Sequence, residues 1–253
     1  MKLSDHARKI LIPVQLLAIT AGIYFFEMQY LWYMLAGWIL ICGYGVAIGY
    51  HRLLSHGAFT TSAWMRKLLT WLAVMSSQGS PLFWVAVHRG YHHRYADEDR
   101  DPHSPRSHSK WHSYLGWILT FDPSTVTLRS ASDLLRDDFQ RKIHEHYTGI
   151  FWASLTAIAL IDPMVALYVF LIPAAYSQHE IGIVNILGHW PELGYRNFDT
   201  NDRSSNNWLL GFLTFGQGYH NNHHAKPKTY DYAEKWYEWD WCKLLVWPIK
   251  TNK

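Results

Sequence analysis

Nine of the chain's sixteen histidines fall in four short clusters: His51 and His56 in HRLLSH, His88, His92 and His93 in HRGYHH, His189 in NILGH, and His220, His223 and His224 in HNNHH. Imidazole nitrogen suits Zn, Cu, Fe and Ni, so residue type alone leaves the metal open. Nine imidazoles exceed the roughly four ligands of a tetrahedral zinc site, and two metal ions with about four or five ligands each account for them. Cys42 and Cys242 lie far apart and form no CxxC pair, which argues against thiolate ligands and a disulfide framework. A single histidine near a membrane surface is ordinarily a hydrogen-bonding or interfacial residue. His6, His108, His112, His144, His146 and His179 keep that reading.

The elements that must position these clusters are legible in the charge pattern. All 23 Lys and Arg lie in three segments, three in 1–9, twelve in 52–147 and eight in 191–253. The stretches 10–51 and 148–190 have none, and each reads as two apolar halves around a polar break, Glu27-Met28-Gln29 and Asp162-Pro163. With a rise of roughly 1.5 Å per residue, about 20 residues cross a bilayer core, so each stretch has the length of a helical hairpin. The expected fold is all-α and polytopic: one integral-membrane domain, 1–253, with four transmembrane helices in two hairpins. The spans are about 10–26, 30–51, 148–161 and 164–188, and 52–147 with 189–253 form a cytoplasmic helical cap. Basic residues near span ends stay cytoplasmic, which places both termini and the cap on that side of a bacterial inner membrane or endoplasmic reticulum. The first apolar run is followed by more membrane and has no small-residue cleavage site, against a removable signal peptide. The net charge of +3 is unremarkable, and no nucleic acid is expected as a partner. Trp32, Trp38, Trp152 and Trp190 lie near span ends, where an interfacial belt is the ordinary explanation.

Residues 68–87 are apolar, but Ser76-Ser77-Gln78-Gly79-Ser80-Pro81 interrupts them, so two short interfacial or buried helices are expected instead of a fifth span. Every histidine cluster then lies at the cytoplasmic end of a span or interfacial helix. Helical spacing puts His88 with His92, Asn185 with His189, and His220 with His223 and His224 on shared faces. The five-residue step from His51 to His56 does not fit, which predicts that the helix ends or loosens between them.

HxxxxH, HxxxHH and HxxHH interleaved with two hydrophobic hairpins resemble the membrane fatty acyl desaturases, specifically the delta-9, stearoyl-CoA desaturase-like branch. GYHRLLSH, WVAVHRGYHH followed by RYADEDRDPHSP, NILGH, and GQGYHNNHH followed by a YDYA segment carry the likeness in content and order, from about residue 44 to 233. The resemblance implies that His51, His56, His88, His92, His93, His189, His220, His223 and His224 hold two iron ions (Fe2+), and that Asn185 reaches a metal through water. One departure concerns the second box, HRGYHH, where many members have HxxHH. Steps of i+4 and i+5 do not superimpose on i+3 and i+4, which puts the role of His88 in question.

The implied reaction is O2-dependent desaturation of a long-chain saturated acyl group, carried by CoA or lipid, giving a cis double bond at delta-9 with O2 as co-substrate. Removing hydrogen from an unactivated methylene requires a strong oxidant, and the protein supplies position and exclusion of water. Carboxylates commonly orient metal-bound imidazoles, and Asp97, Glu98, Asp99 and Asp101 follow the second box; Asp101, within DPH, is the candidate, against a solvated turn. A tunnel that measures the acyl chain is expected, with Leu35, Ile39 and Trp84 as candidate lining, against a lipid-facing role for Leu35 and Ile39. The chain has neither a His-Pro-Gly-Gly haem motif nor a cysteine cluster, so electrons are expected from a separate cytochrome b5 or ferredoxin-type protein. The basic face that would dock it is equally the positive-inside signature. A membrane hydroxylase would use similar boxes and differ in product. A haem-binding electron carrier needs paired histidines inside spans, and a transporter needs polar ligands near the midplane; neither pattern is present.

Overall fold

The computed structural model describes residues 3–251. Helix α1 (Ala7–Tyr24) starts where the Ser4 hydroxyl accepts the Ala7 N–H at 3.0 Å, and it stops before extended Glu27. Helix α2 (Met28–Ser55) follows directly. These two are long and apolar enough to cross a membrane by length and composition. On α1, Leu16, Leu17, Ile19 and Ile23 are 45–76% exposed, an apolar outer surface that a protein in water does not leave uncovered. From Trp38 to Ser55, α2 is wound as a π-helix, with i→i+5 hydrogen bonding.

Helices α3 (Ala63–Val74) and α4 (Pro81–Val87) are separated by a break in which Ser77 and Gly79 adopt positive φ, 62° and 102°. Residues 68–87 thus form parts of two short helices and no span. α3 packs closely on α2 because Gly45 and Gly49 have no side chain: a Cβ on either would lie 2.8 Å from the Leu72 or Leu69 carbonyl oxygen. Further along, α5 (Asp138–Glu145) is capped by Asp137 and leads into the apolar 15-residue α6 (Tyr147–Ile161). Asp162 caps the next helical run, which passes through a π-helical segment, Ala166–Leu171, into α7 (Ile172–Leu187). Three short helices follow, α8 (Trp208–Leu213), α9 (His220–Ala225) and α10 (Cys242–Val246). Among the described residues there is no strand, only three isolated bridges. The protein is an all-helical, membrane-associated molecule.

Two cores divide the packing. Ile10, Val14, Ile41, Phe151, Leu155 and Tyr168 join α1, α2, α6 and the run entering α7. Ile48, Leu54, Leu69, Leu82, Val85 and Val246 join the end of α2 to α3, α4 and α10. The second core packs the helix ends that carry His51 and lead into His88. It is fastened by Arg52, fully buried, which donates to Asp240 at 2.7 Å, to the Ala47 and Tyr230 carbonyls at 2.9 Å, and lies 3.9 Å from the Tyr232 ring centre. Of the tryptophans expected at span ends, Trp32 is exposed, whereas Trp38 packs against Phe215 with the ring centres 4.4 Å apart and the planes tilted by 41°. Trp152 donates to the Lys9 carbonyl, and Lys110 lies over Trp190.

Candidate metal centre

The nine clustered histidines meet in two groups. The Nε2 atoms of His51, His56, His88, His93 and His223 converge, with separations of 2.9 Å for His51–His223, 2.8 Å for His56–His88, 3.1 Å for His88–His93 and 2.8 Å for His93–His223. Those of His92, His189, His220 and His224 form the second group, at 3.2 Å for His92–His220, 3.1 Å for His189–His220 and 3.2 Å for His92–His224.

This partition corrects three expectations drawn from α-helical spacing. The five-residue step from His51 to His56, by contrast, is met as expected: α2 is loosened into a π-helix that ends at Ser55, the His56 N–H donates to the His51 carbonyl at 3.2 Å, and an i+5 step returns to the same side. A second π turn spans His88–His92, so His88 pairs with His93 and not with His92, which joins the other group. The wider turn absorbs the extra residue of HRGYHH, so i+4 and i+5 on a π turn stand where i+3 and i+4 would stand on an α turn. In α9, His220 and His224 share one face, and His223 turns to the five-histidine group. α7 ends at Leu187, so His189 follows in a turn beyond the helical face of Asn185, whose amide donates to the Ser113 carbonyl at 3.4 Å.

The outward Nδ1 atoms distinguish the groups. His92 faces Asp101 at 2.9 Å, His224 faces Asp202 at 2.7 Å, and His189 faces Asp97 at 3.3 Å. Burial alone would raise these acids, but the neighbouring histidines draw all three below the ordinary carboxylate range: His103 and His92 for Asp101, His224 for Asp202, His189 for Asp97. An Nδ1 hydrogen-bonded to a carboxylate carries the ring proton, so the Nε2 lone pairs of His92 and His224 point inward, whereas His189 Nδ1 lies near Asp97 without closing a hydrogen bond. Lone pairs crowded together repel unless a cation lies between them, so this donor set fits a metal ion. The Nδ1 atoms of His51 and His223 in the five-histidine group, and of His189 and His220 in the other, are buried without a hydrogen-bond partner. Burial and neighbouring imidazoles push His88, His93 and His223 well below the usual range and His56 down to about 3, leaving neutral rings suited to ligation.

Asp202 escapes sequence reasoning because nothing local marks it. The asparagines of HNNHH explain how it is held. Asn221 accepts from the Asn197 and Phe198 N–H groups at 2.9 Å, and Asn222 donates to the Tyr232 carbonyl at 2.8 Å and to Glu238 at 2.9 Å. Both are buried and tie the loop bearing Asp202, and the C-terminal segment, to α9. Asp97 adopts a φ of 68°, uncommon for a residue with a side chain, and accepts the Arg203 N–H. His103, unassigned from sequence, lies 3.2 Å from Asp101. His6, His108, His112, His144, His146 and His179 join neither group.

A narrow cavity of about 60 Å³ runs along both groups, bordered by His51, His88, His92 and His220 with Trp84, Val87, Ile181 and Asn185. Leu35 and Ile39 border neither this cavity nor a wider one near α1: Leu35 is 43% exposed on the outer surface and Ile39 packs against the second core. Leu35 sits in the α-helical part of α2, Leu31–Gly37, and Ile39 at the start of its π-helical part.

Comparison with known proteins gives this geometry its context. The fatty acid desaturase family model matches residues 30–238. The chain is 32% identical over 206 residues to the sn-1 stearoyl-lipid 9-desaturase of Anabaena variabilis, covering 81% of this chain and 74% of that protein. It is 33% identical over 218 residues to Delta-9 acyl-lipid desaturase 2 of Arabidopsis thaliana, covering 81% and 67%. It is also 33% identical over 217 residues to Acyl-CoA desaturase 1 of Saccharomyces cerevisiae, covering 81% and 41%. The matched region contains both histidine groups and every carboxylate that backs them, and the chain belongs to the fatty acid desaturase family of oxidoreductases.

Proposed function

We propose that this protein is a di-iron acyl desaturase that introduces a cis double bond at delta-9 of a saturated long-chain acyl group. The observation that carries the reading is the convergence of nine imidazoles in two groups beside one narrow cavity. His51, His56, His88, His93 and His223 would hold one iron; His92, His189, His220 and His224 would hold the other, with Asn185 reaching it through water. Iron, when bound, supplies the activation of O2 needed to remove hydrogen from an unactivated methylene. The chain's own part is positional. Asp101 and Asp202 keep the proton on the outer nitrogen of their histidines, and Trp84, Val87 and Ile181 hold an acyl chain against the centre and exclude water.

The whole chain, 1–253, acts as one membrane domain in this reading. α1, α2, α6 and the run 163–187 cross the bilayer as two hairpins, at bounds within a few residues of those expected from the charge census. The cap and both termini face the cytoplasm, where a cytochrome b5 or ferredoxin-type protein delivers electrons. Lipid analysis of a host expressing the wild type beside His220→Ala tests the reading. The wild type should add a monounsaturated acyl chain and the variant none. Equal monoenes from both, no monoene from either, or a hydroxy acid as the product would defeat it.

A further inference from the structure

The larger cavity, about 520 Å³, opens where the start of α1 meets α4, α5 and the first turn of α6, and shares Gln78, Phe83, Trp117 and Ile118 with the narrow one. A chain threaded past the histidines would therefore emerge here, and its carrier would occupy the mouth. The mouth lies at the ends of two apolar helices, α1 and α6, joined where the Trp152 indole donates to the Lys9 carbonyl at 2.9 Å. That places it at the level of a bilayer surface. A Cβ on Gly149, in the first turn of α6, would meet nothing within 4 Å, so this flank is open.

Its charge discriminates between carriers. The ionised residues that line it are Asp5, Lys9 and Glu145, one cation against two anions, and Lys9 is itself paired with Asp5 at 2.9 Å. Arg8, one turn from the mouth-lining Asp5, is likewise paired with it. His6 lines the mouth with a buried Nε2 that has no hydrogen-bond partner, and the Ser80 hydroxyl pairs with His144 Nδ1 at 2.6 Å. These are neutral hydrogen-bonding groups. Coenzyme A brings about four negative charges at neutral pH by ordinary phosphate ionisation, and acyl carrier proteins are acidic; either needs a cluster of unpaired Lys or Arg. A hydroxyl-rich headgroup without net charge needs hydrogen-bond partners alone.

We infer that the carrier is a membrane glycerolipid with no net headgroup charge, entering from the bilayer beside Gly149, and that the protein acts on acyl chains already esterified. This rests on the desaturase reading above and narrows it. The test uses the full-length, iron-loaded protein in nanodiscs with a reducing donor, offered deuterated stearate either as a galactosyl diacylglycerol or as stearoyl-CoA. Label should appear as monoene in the galactolipid, with conversion of stearoyl-CoA at least about tenfold lower. Preferential conversion of stearoyl-CoA overturns the inference and leaves the desaturase reading intact, whereas no conversion of either defeats both. A second measurement is independent of turnover. Binding of a non-hydrolysable stearoyl-CoA thioether should be weak in the wild type and strengthen by about tenfold at low salt in Asp5→Lys/Glu145→Lys, both positions being exposed. Tight binding to the wild type, or no gain in the variant, overturns the charge argument.

Discussion

The two histidine groups are built from one residue type yet held by different means. The five-histidine group is fixed by backbone: His51 and His56 by the π-helix of α2, His88 and His93 by the π turn after α4. No carboxylate pairs with it among the described residues, and the outer nitrogens of His51 and His223 are buried unpaired, as is that of His220 in the other group. The four-histidine group is fixed by side chains. Three of its members lean on Asp97, Asp101 and Asp202, which come from loops that regular helix geometry could not align. An imidazole on a rigid helix needs little further orientation, whereas one on a turn or short helix needs an outer hydrogen bond to fix its tautomer and angle. Shared members of the boxes link the groups, since His92 and His93 are neighbours and so are His223 and His224.

The largest expected effect comes from removing an inward nitrogen. His220→Ala and His223→Ala should each abolish desaturation, but metal analysis should separate them, each losing about one metal per chain from its own group. If both variants lose all metal together, the two groups are one cooperative unit and the contrast fails. Next is Arg52→Met. It strands buried Asp240 and should cost about 3–5 kcal/mol of stability by thermal unfolding, disturbing the five-histidine group first because Arg52 adjoins His51. Third, Asp202→Asn should weaken metal at the four-histidine group by about 10- to 100-fold and leave the other group unaffected, as site-resolved spectroscopy would report. Equal loss at both would show that the carboxylate is general scaffolding.

Acid should also separate the groups in metal-free protein. Burial lowers the pKa of His56 from 6.5 to about 3 and that of His224 to about 4, the latter partly restored by Asp202. Both rings are neutral when folded and bind a proton more readily when unfolded, so their contribution is fully present above about pH 6.5 and falls as the pH drops. NMR titration should find His224 protonating before His56. The smallest effect is expected from deleting Gly90, which returns HRGYHH to three-and-four spacing. Both metals should remain bound, because an α turn then replaces the π turn; loss of metal at the five-histidine group would show that the π turn itself is required.

Much was legible in the chain alone, for a definite reason. Helix length, apolar runs and the absence of Lys and Arg from 10–51 and 148–190 are local properties, so the helices of the bundle and the break at 76–81 follow from composition. The nine histidines were legible because clustering of a rare, costly residue type is itself a signal. Their division into five and four was not, because α-helical spacing was applied where the backbone winds as a π-helix, and that winding has no simple sequence mark. Asp202 lies 22 residues before His224 and meets it only because buried Asn221 and Asn222 draw the intervening loop back. The sequence by itself determined which residues could bind metal and that a membrane bundle would carry them. Which nitrogen faces which, and which carboxylate stands behind it, depends on contacts between residues distant along the chain, and only the tertiary structure decides those.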